Sequence, residues 1–173
     1  MTLELRQKKN KIFGRLFTRH PKLVNLWARH SKFVEFSDSP WTPLTKPTHQ
    51  CRLSLVITGG VHLRSQHPFD MLDPAGDPTF REIPADTSPE DLDITHDYYD
   101  HTDADRDINV VFPVERVREL KSLGEIGDVN HRHFSFMGPI KNSHISRLLN
   151  DTAPRVASAL KADGVDIVIL TPA

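Results

Sequence analysis

The sequence predicts an α/β domain: a small, mainly parallel open sheet with flanking helices and a long irregular insertion after the first strand. Three observations carry this. Residues 51–57 are a short apolar run closed by Thr58-Gly59-Gly60. Residues 165–170 are a second, β-branched run, introduced by Gly164, with the composition of a strand buried on both faces of a parallel sheet. Between the two, residues 113–123 and 143–162 carry apolar side chains at helical spacing. Right-handed crossovers then set the loops after Ile57, Phe136 and Leu170 along one sheet edge, where open α/β sheets bind their ligands.

Taken in order, residues 9–30 predict a helix in two pieces. Ile12, Phe13, Leu16 and Phe17 keep helical spacing, Pro21 interrupts, and Leu23, Val24, Leu26 and Trp27 resume the stripe. Residues 33–36 read as a short extended segment, and the Pro- and Ser-rich residues 37–50 as a wrapping loop. Residues 51–57 are the first strand. Residues 61–109, with five prolines and many aspartates, resist regular structure, but Phe69, Met71, Phe80, Ile83, Tyr98 and Tyr99 give them apolar anchors. Pro113 starts a short helix that Gly124 ends. Residues 133–136 form a strand ending in Met137-Gly138, and residues 143–162 a helix interrupted at Pro154.

A chain of 173 residues with 38% apolar content makes one domain with a real core. No stretch is long and apolar enough to span a bilayer, and the N-terminus lacks the apolar region of a secretory signal, so a cytoplasmic protein is expected. The single cysteine, Cys51, has no partner for an internal disulfide and reads as a small buried hydrophobe. The net charge of −1 hides an asymmetry. Residues 1–33 hold nine Lys/Arg against Glu4, and residues 66–107 hold thirteen Asp/Glu against Arg81 and Arg106. The basic arm, residues 1–32, reads as a solvated helical face that can dock on the acidic segment, with residues 33–173 forming the α/β domain. No nucleic-acid-binding signature is present.

Two stretches carry candidate chemistry. Thr58-Gly59-Gly60-Val61-His62 follows the first strand, where paired glycines let a ligand approach the backbone and expose amides to an oxyanion, although such a pair also makes a plain turn. Residues 95–107 hold His96, His101 and five carboxylates within a short span. They admit a structural network of caps and turns, a substrate- or proton-handling group, or a metal site. His96 and His101 stand five residues apart, which fits neither one helical face nor one strand face. Arg132, between His131 and His133, could meet an anion or the solvent.

Residues 33–41, the TGGVH segment at 58–62, Pro68-Phe69-Asp70, Thr95-His96-Asp97, the DADRDINVVFP segment at 103–113 and Gly164-Val165-Asp166 occur in order. Together they resemble the glycine/sarcosine/betaine/D-proline reductase family, in particular its selenoprotein B branch and the related D-proline reductase subunit. The resemblance spans residues 33–173 and implies reductive cleavage of a carbon–nitrogen bond in a small amine or amino acid. It implies a selenocysteine, or a cysteine, just after the strand that ends in Leu170-Thr171-Pro172, at a helix N-terminus that would stabilise its anion. It further implies a pyruvoyl group on a partner subunit and a thiol electron donor, with no cofactor or metal in this chain itself. In that frame Thr58, Gly59, Gly60 and Thr171 bind substrate, and His62, His96, His101 and Asp103 orient it or move protons. The reading frame is expected to continue through a UGA codon after Ala173 into a helix with a nearby cysteine. Two other readings stand beside this one. The first is a non-catalytic ligand-binding or interaction module on the same fold. The second is a metal-dependent hydrolase using His62, His96, His101 and Asp103.

Overall fold

The computed structural model describes residues 3–30, 37–38, 41–138 and 140–172. Residues 33–36, expected to be extended, lie outside the described residues. The described residues form two units: one from 1–45 with Asp97–Asp100, the other from Lys46–His96 with the chain from His101 onward.

The first unit holds α1 (Leu3–Arg19) and α2 (Pro21–His30). The break falls where Pro21 was expected to put it, because a proline inside a helix removes a hydrogen bond and clashes with the preceding turn. A Cβ on Gly14 would stand 3.2 Å from the Tyr99 carbonyl carbon, so α1 meets the 99–100 backbone through the side of the helix that has no side chain. No helix among the described residues is long and apolar enough to cross a membrane.

The second unit is built on β1 (Arg52–Ile57), the strand that pairs with three others. β7 (Ile167–Thr171) runs parallel along one edge of β1 from Leu53 to Ile57. The other edge is shared by β5 (Asp128–Val129), which pairs with the start of β1, and β6 (Arg132–Ser135), which pairs with its end. Antiparallel β3 (Arg81–Pro84) closes the sheet beyond β6. Between Leu53↔Val129 and Val56↔Phe134 the register slips by two residues, so the ladder is interrupted opposite Ser54 and Leu55. The His133 imidazole fills the gap, its Nδ1 accepting the Leu55 N–H at 3.1 Å. His133 is fully buried, and burial, with the charge of Arg118, pushes its pKa down to about 4. Only a neutral ring can accept that bond.

The face that carries Val56, Phe134 and Phe136 is covered by α5 (Ala153–Ala162) through Val156 and Leu160, with Phe80 edge-on to Phe134. Each such side chain contributes about 1.5–3 kcal/mol on burial. The opposite face carries Leu53, Leu55 and Ile57, all buried, and Phe112 sits edge-on to His133 just before α3 (Val114–Ser122).

One expectation is corrected by the sheet and another is borne out by the helices. Residues 165–170 were expected to be buried on both faces, yet β7 is an edge strand with Leu170 71% exposed and Val168 38% exposed. Both share the α5 face of the sheet, and α5 packs over β6 rather than over them. Pro154 interrupts its helix as expected: α4 (Ser143–Arg147) gives way to a π-turn at Leu148–Thr152, and α5 restarts with Pro154 as its second residue. The wider turn accommodates a ring that has no N–H to give the carbonyl four residues back.

The insertion after β1 contains more order than its prolines suggest. β2 (Val61–Leu63) and β4 (Leu92–Ile94) form an antiparallel ribbon, and Pro84 ends β3 on the sheet edge, the one place a strand tolerates proline. Behind it, Asp163 holds the sheet together. Its carboxylate accepts from Arg132 Nε at 2.7 Å, Arg132 Nη2 at 2.8 Å and Asn130 Nδ2 at 3.0 Å, which pushes its pKa down to about 2. Asp163→Ala should therefore cost about 2 kcal/mol, because it removes both Asp163 bonds of the Arg132 guanidinium and leaves it only Glu82, 3.1 Å from Nη1. A urea midpoint unchanged from the parent would refute that role.

Candidate functional site at the strand ends

The carboxyl ends of β1, β6 and β7 meet. Ile57 pairs with Thr171, and the Thr58 N–H donates to the Thr171 carbonyl at 3.1 Å. The Gly60 N–H donates to the Phe136 carbonyl at 2.9 Å, and Gly59 bridges Met137. The three loops expected along one edge are thus tied to one another by backbone hydrogen bonds. Gly60 explains the choice of residue: its φ is +71°, and a Cβ there would stand 2.5 Å from the Thr95 carbonyl oxygen. In return the Gly60 carbonyl accepts the Thr95 N–H at 2.9 Å, which brings His96 to the mouth of the strands.

His96 is 5% exposed, and its Nε2 lies 3.8 Å from where a Cβ on Gly138 would be. Burial, together with the charge of His101, pushes its pKa down to about 4, so the ring is neutral at pH 7. Across the mouth, the half-buried Thr171 donates its hydroxyl proton to the Val111 carbonyl at 3.0 Å, which leaves the oxygen's lone pairs for another donor.

The structure thus gathers Thr58, Gly59, Gly60, Thr171 and His96, and sets His101 within electrostatic reach of His96. His62 and Asp103 are placed otherwise. His62, 4% exposed, lies on the β2–β4 ribbon. Its Nδ1–H donates to the Leu63 carbonyl at 2.8 Å, and its Nε2 accepts from the Thr95 hydroxyl at 2.8 Å. Both nitrogens hold the ribbon. The Asp103 carboxylate is 81% exposed and pairs with Arg106 at 3.3 Å. The carboxylate on His101 is instead Asp105, Nδ1 to Oδ1 at 2.7 Å. Sequence reasoning passed over Asp105, Gly138 and Val111; the spacing of His101 and Asp105, one helical turn, was the available signal.

Among the described residues no group of three or more His, Cys, Asp or Glu side chains is arranged to hold a metal. Cys51 is buried at the amino end of β1, its Sγ on the Pro47 carbonyl at 3.4 Å. That is roughly 20 Å along the strand from Thr58, so Cys51 does not reach the mouth.

The chain is 37% identical to the D-proline reductase subunit gamma of Acetoanaerobium sticklandii over 140 residues, 80% of this chain and 56% of that protein. It is 28% identical to the glycine reductase complex component B subunit gamma of Carboxydothermus hydrogenoformans over 145 residues, 79% of this chain and 31% of that protein. The chain therefore spans about half, or less, of the length of these relatives. No solved structure matches it. The model of the glycine/sarcosine/betaine reductase selenoprotein B family matches residues 48–173, nearly all of the unit that carries the strand mouth, and the chain belongs to that family.

Proposed function

We propose that the chain is a subunit of an amine or amino-acid reductase assembly, and that the strand mouth is where a small amine is held while its carbon–nitrogen bond is reduced. The observation that carries this is the convergence of three strand ends, tied to one another at Thr58, Gly59 and Gly60, in a chain of this family. The reaction takes two electrons and two protons. The carbon gains hydrogen, the nitrogen leaves as ammonium, and two thiols of the donor become a disulfide. A selenolate or thiolate beside Thr171 would supply the nucleophile, and a pyruvoyl group on a partner subunit would hold the amine.

The residues of this chain do the rest. Thr58 and Gly59 meet the substrate, and Gly60 lets the Thr95–His96 backbone close against them. The Thr171 hydroxyl oxygen accepts a hydrogen bond from the substrate ammonium. His96, neutral and buried, orients the substrate at the mouth, and His101 moves protons between the site and the outside. His62 and Asp103 support the loops. The acidic clusters and basic helices are left for contacts within the assembly.

The test is reconstitution of the full-length protein with its partner subunits and a dithiol donor, with ammonia release measured over a panel of small amines and amino acids. His96→Gln should lower kcat about tenfold to a hundredfold with the assembly intact. Unchanged turnover in that variant would remove His96 from the site. Absence of ammonia release from every amine, in an assembly whose partners are present, would favour the non-catalytic reading.

A further inference from the structure

We propose that Gly138 sets the size of the amine that the strand mouth accepts: the space over its Cα, beside the His96 ring, takes the substituent that makes one substrate larger than another. This rests on the function proposed above. Gly138 follows a backbone tied twice to the loop after β1. The Gly60 N–H donates to the Phe136 carbonyl at 2.9 Å, and Gly59 bridges Met137. Gly138 therefore stands at the mouth, half-buried. The His96 side chain spans the two loops. Its Cβ lies 3.2 Å from where a Cβ on Gly60 would be, and its Nε2 lies 3.8 Å from where a Cβ on Gly138 would be.

Neither backbone conformation nor packing requires a glycine here, which separates Gly138 from its neighbour across the mouth. Gly60 combines a φ of +71° with a Cβ position 2.5 Å from the Thr95 carbonyl oxygen. Gly138 is not among the glycines with positive φ, and among the described residues a Cβ on it would meet only His96 Nε2, at an ordinary contact distance. Alanine would fit without strain and would also narrow the unfolded ensemble, so the glycine contributes nothing to stability. What it leaves is the room of a methyl group beside the ring that orients the substrate. Pockets that differ by one methylene separate substrates by about 10- to 200-fold, so a single methyl at this point is enough to select among small amines.

The experiment compares Gly138→Ala and Gly138→Val with the parent. The urea midpoint of Gly138→Ala should match or exceed the parent value. In the reconstituted assembly, with free glycine, alanine and proline as probes, Gly138→Ala should lower kcat/KM for the largest amine turned over at least about tenfold, and for the smallest by less than about threefold. Gly138→Val should extend the loss to the smaller amines. Independently of turnover, titrating the three amino acids into the isotopically labelled full-length protein should shift the NMR signals of the Gly138 amide and the His96 ring together, and Gly138→Ala should abolish the shifts caused by proline first. A lower midpoint in Gly138→Ala shows that the position is not open and overturns the proposal. Losses that do not depend on the size of the amine, or no loss at all, overturn it as well. An assembly inactive before any substitution overturns the proposed reduction instead, and the titration then decides whether the space beside Gly138 sizes an amine.

Discussion

Taking the protein from pH 7 to pH 4 should remove up to about 3 kcal/mol of stability for each of His96 and His133. Both rings are buried, and both pKa values are pushed down to about 4 from an ordinary value near 6.5. As the pH falls through 6.5 the unfolded chain takes up protons that the folded chain refuses, so the stability present above that pH is lost progressively down to about 4. For His133 the cause is visible in the sheet. Protonating Nδ1 would turn the acceptor of the Leu55 N–H into a second donor facing it, in the middle of the central strand. Asp163, held near 2, and Asp77, Asp128 and Asp166, each lowered by its hydrogen bonds, contribute their own losses only below the window in which the histidines act. Urea midpoints measured from pH 7 to 4.5 therefore report mainly on the two rings. A flat profile across that range would mean that neither ring is kept neutral by the fold.

The same two histidines show what could be read in advance. His96 was picked out by its motif, and the glycines at 59 and 60 by their place after a strand, because strand ends and paired glycines are local patterns. That these loops meet was also legible, since right-handed crossovers between parallel strands leave their carboxyl ends together. His133 was not legible. A side chain that replaces a missing rung depends on a register slip between β5 and β6, which only pairing with β1 creates. The short strands β2, β3 and β4 were hidden for a different reason. Runs of three or four residues inside a proline-rich insertion are too brief for alternation to be told from a loop. Residues 165–170 misled in the opposite sense. Their composition promised burial on both faces, but composition does not say which neighbour covers a strand, and α5 packs over β6.

Gly60→Ala should destabilise the second unit by about 3 kcal/mol and disable the strand mouth with it. Two costs add. The residue sits at φ +71°, where a side chain costs about 1 kcal/mol, and its Cβ would come within 2.5 Å of the Thr95 carbonyl oxygen and 3.2 Å of the His96 Cβ. The first neighbour is backbone, so no rotamer relieves it. Relief requires the strand end of β4 to move, and that strand is tied to Gly60 by the Thr95 N–H bond and to β2 by its register. The movement would carry His96 away from Gly138 and leave His62 without the Thr95 hydroxyl it accepts from. Gly124→Ala separates the two costs. Gly124 has a φ of +74° but nothing within 4 Å of its Cβ position, so it should lose only the backbone part, about 1 kcal/mol. Urea midpoints of the two variants give the difference directly. Equal losses would mean that the close approach at Gly60 imposes nothing beyond its backbone angle. A larger loss at Gly60, with kcat of the reconstituted assembly falling further than the stability change accounts for, is the outcome expected of a glycine that lets the β4 backbone hold His96 in place.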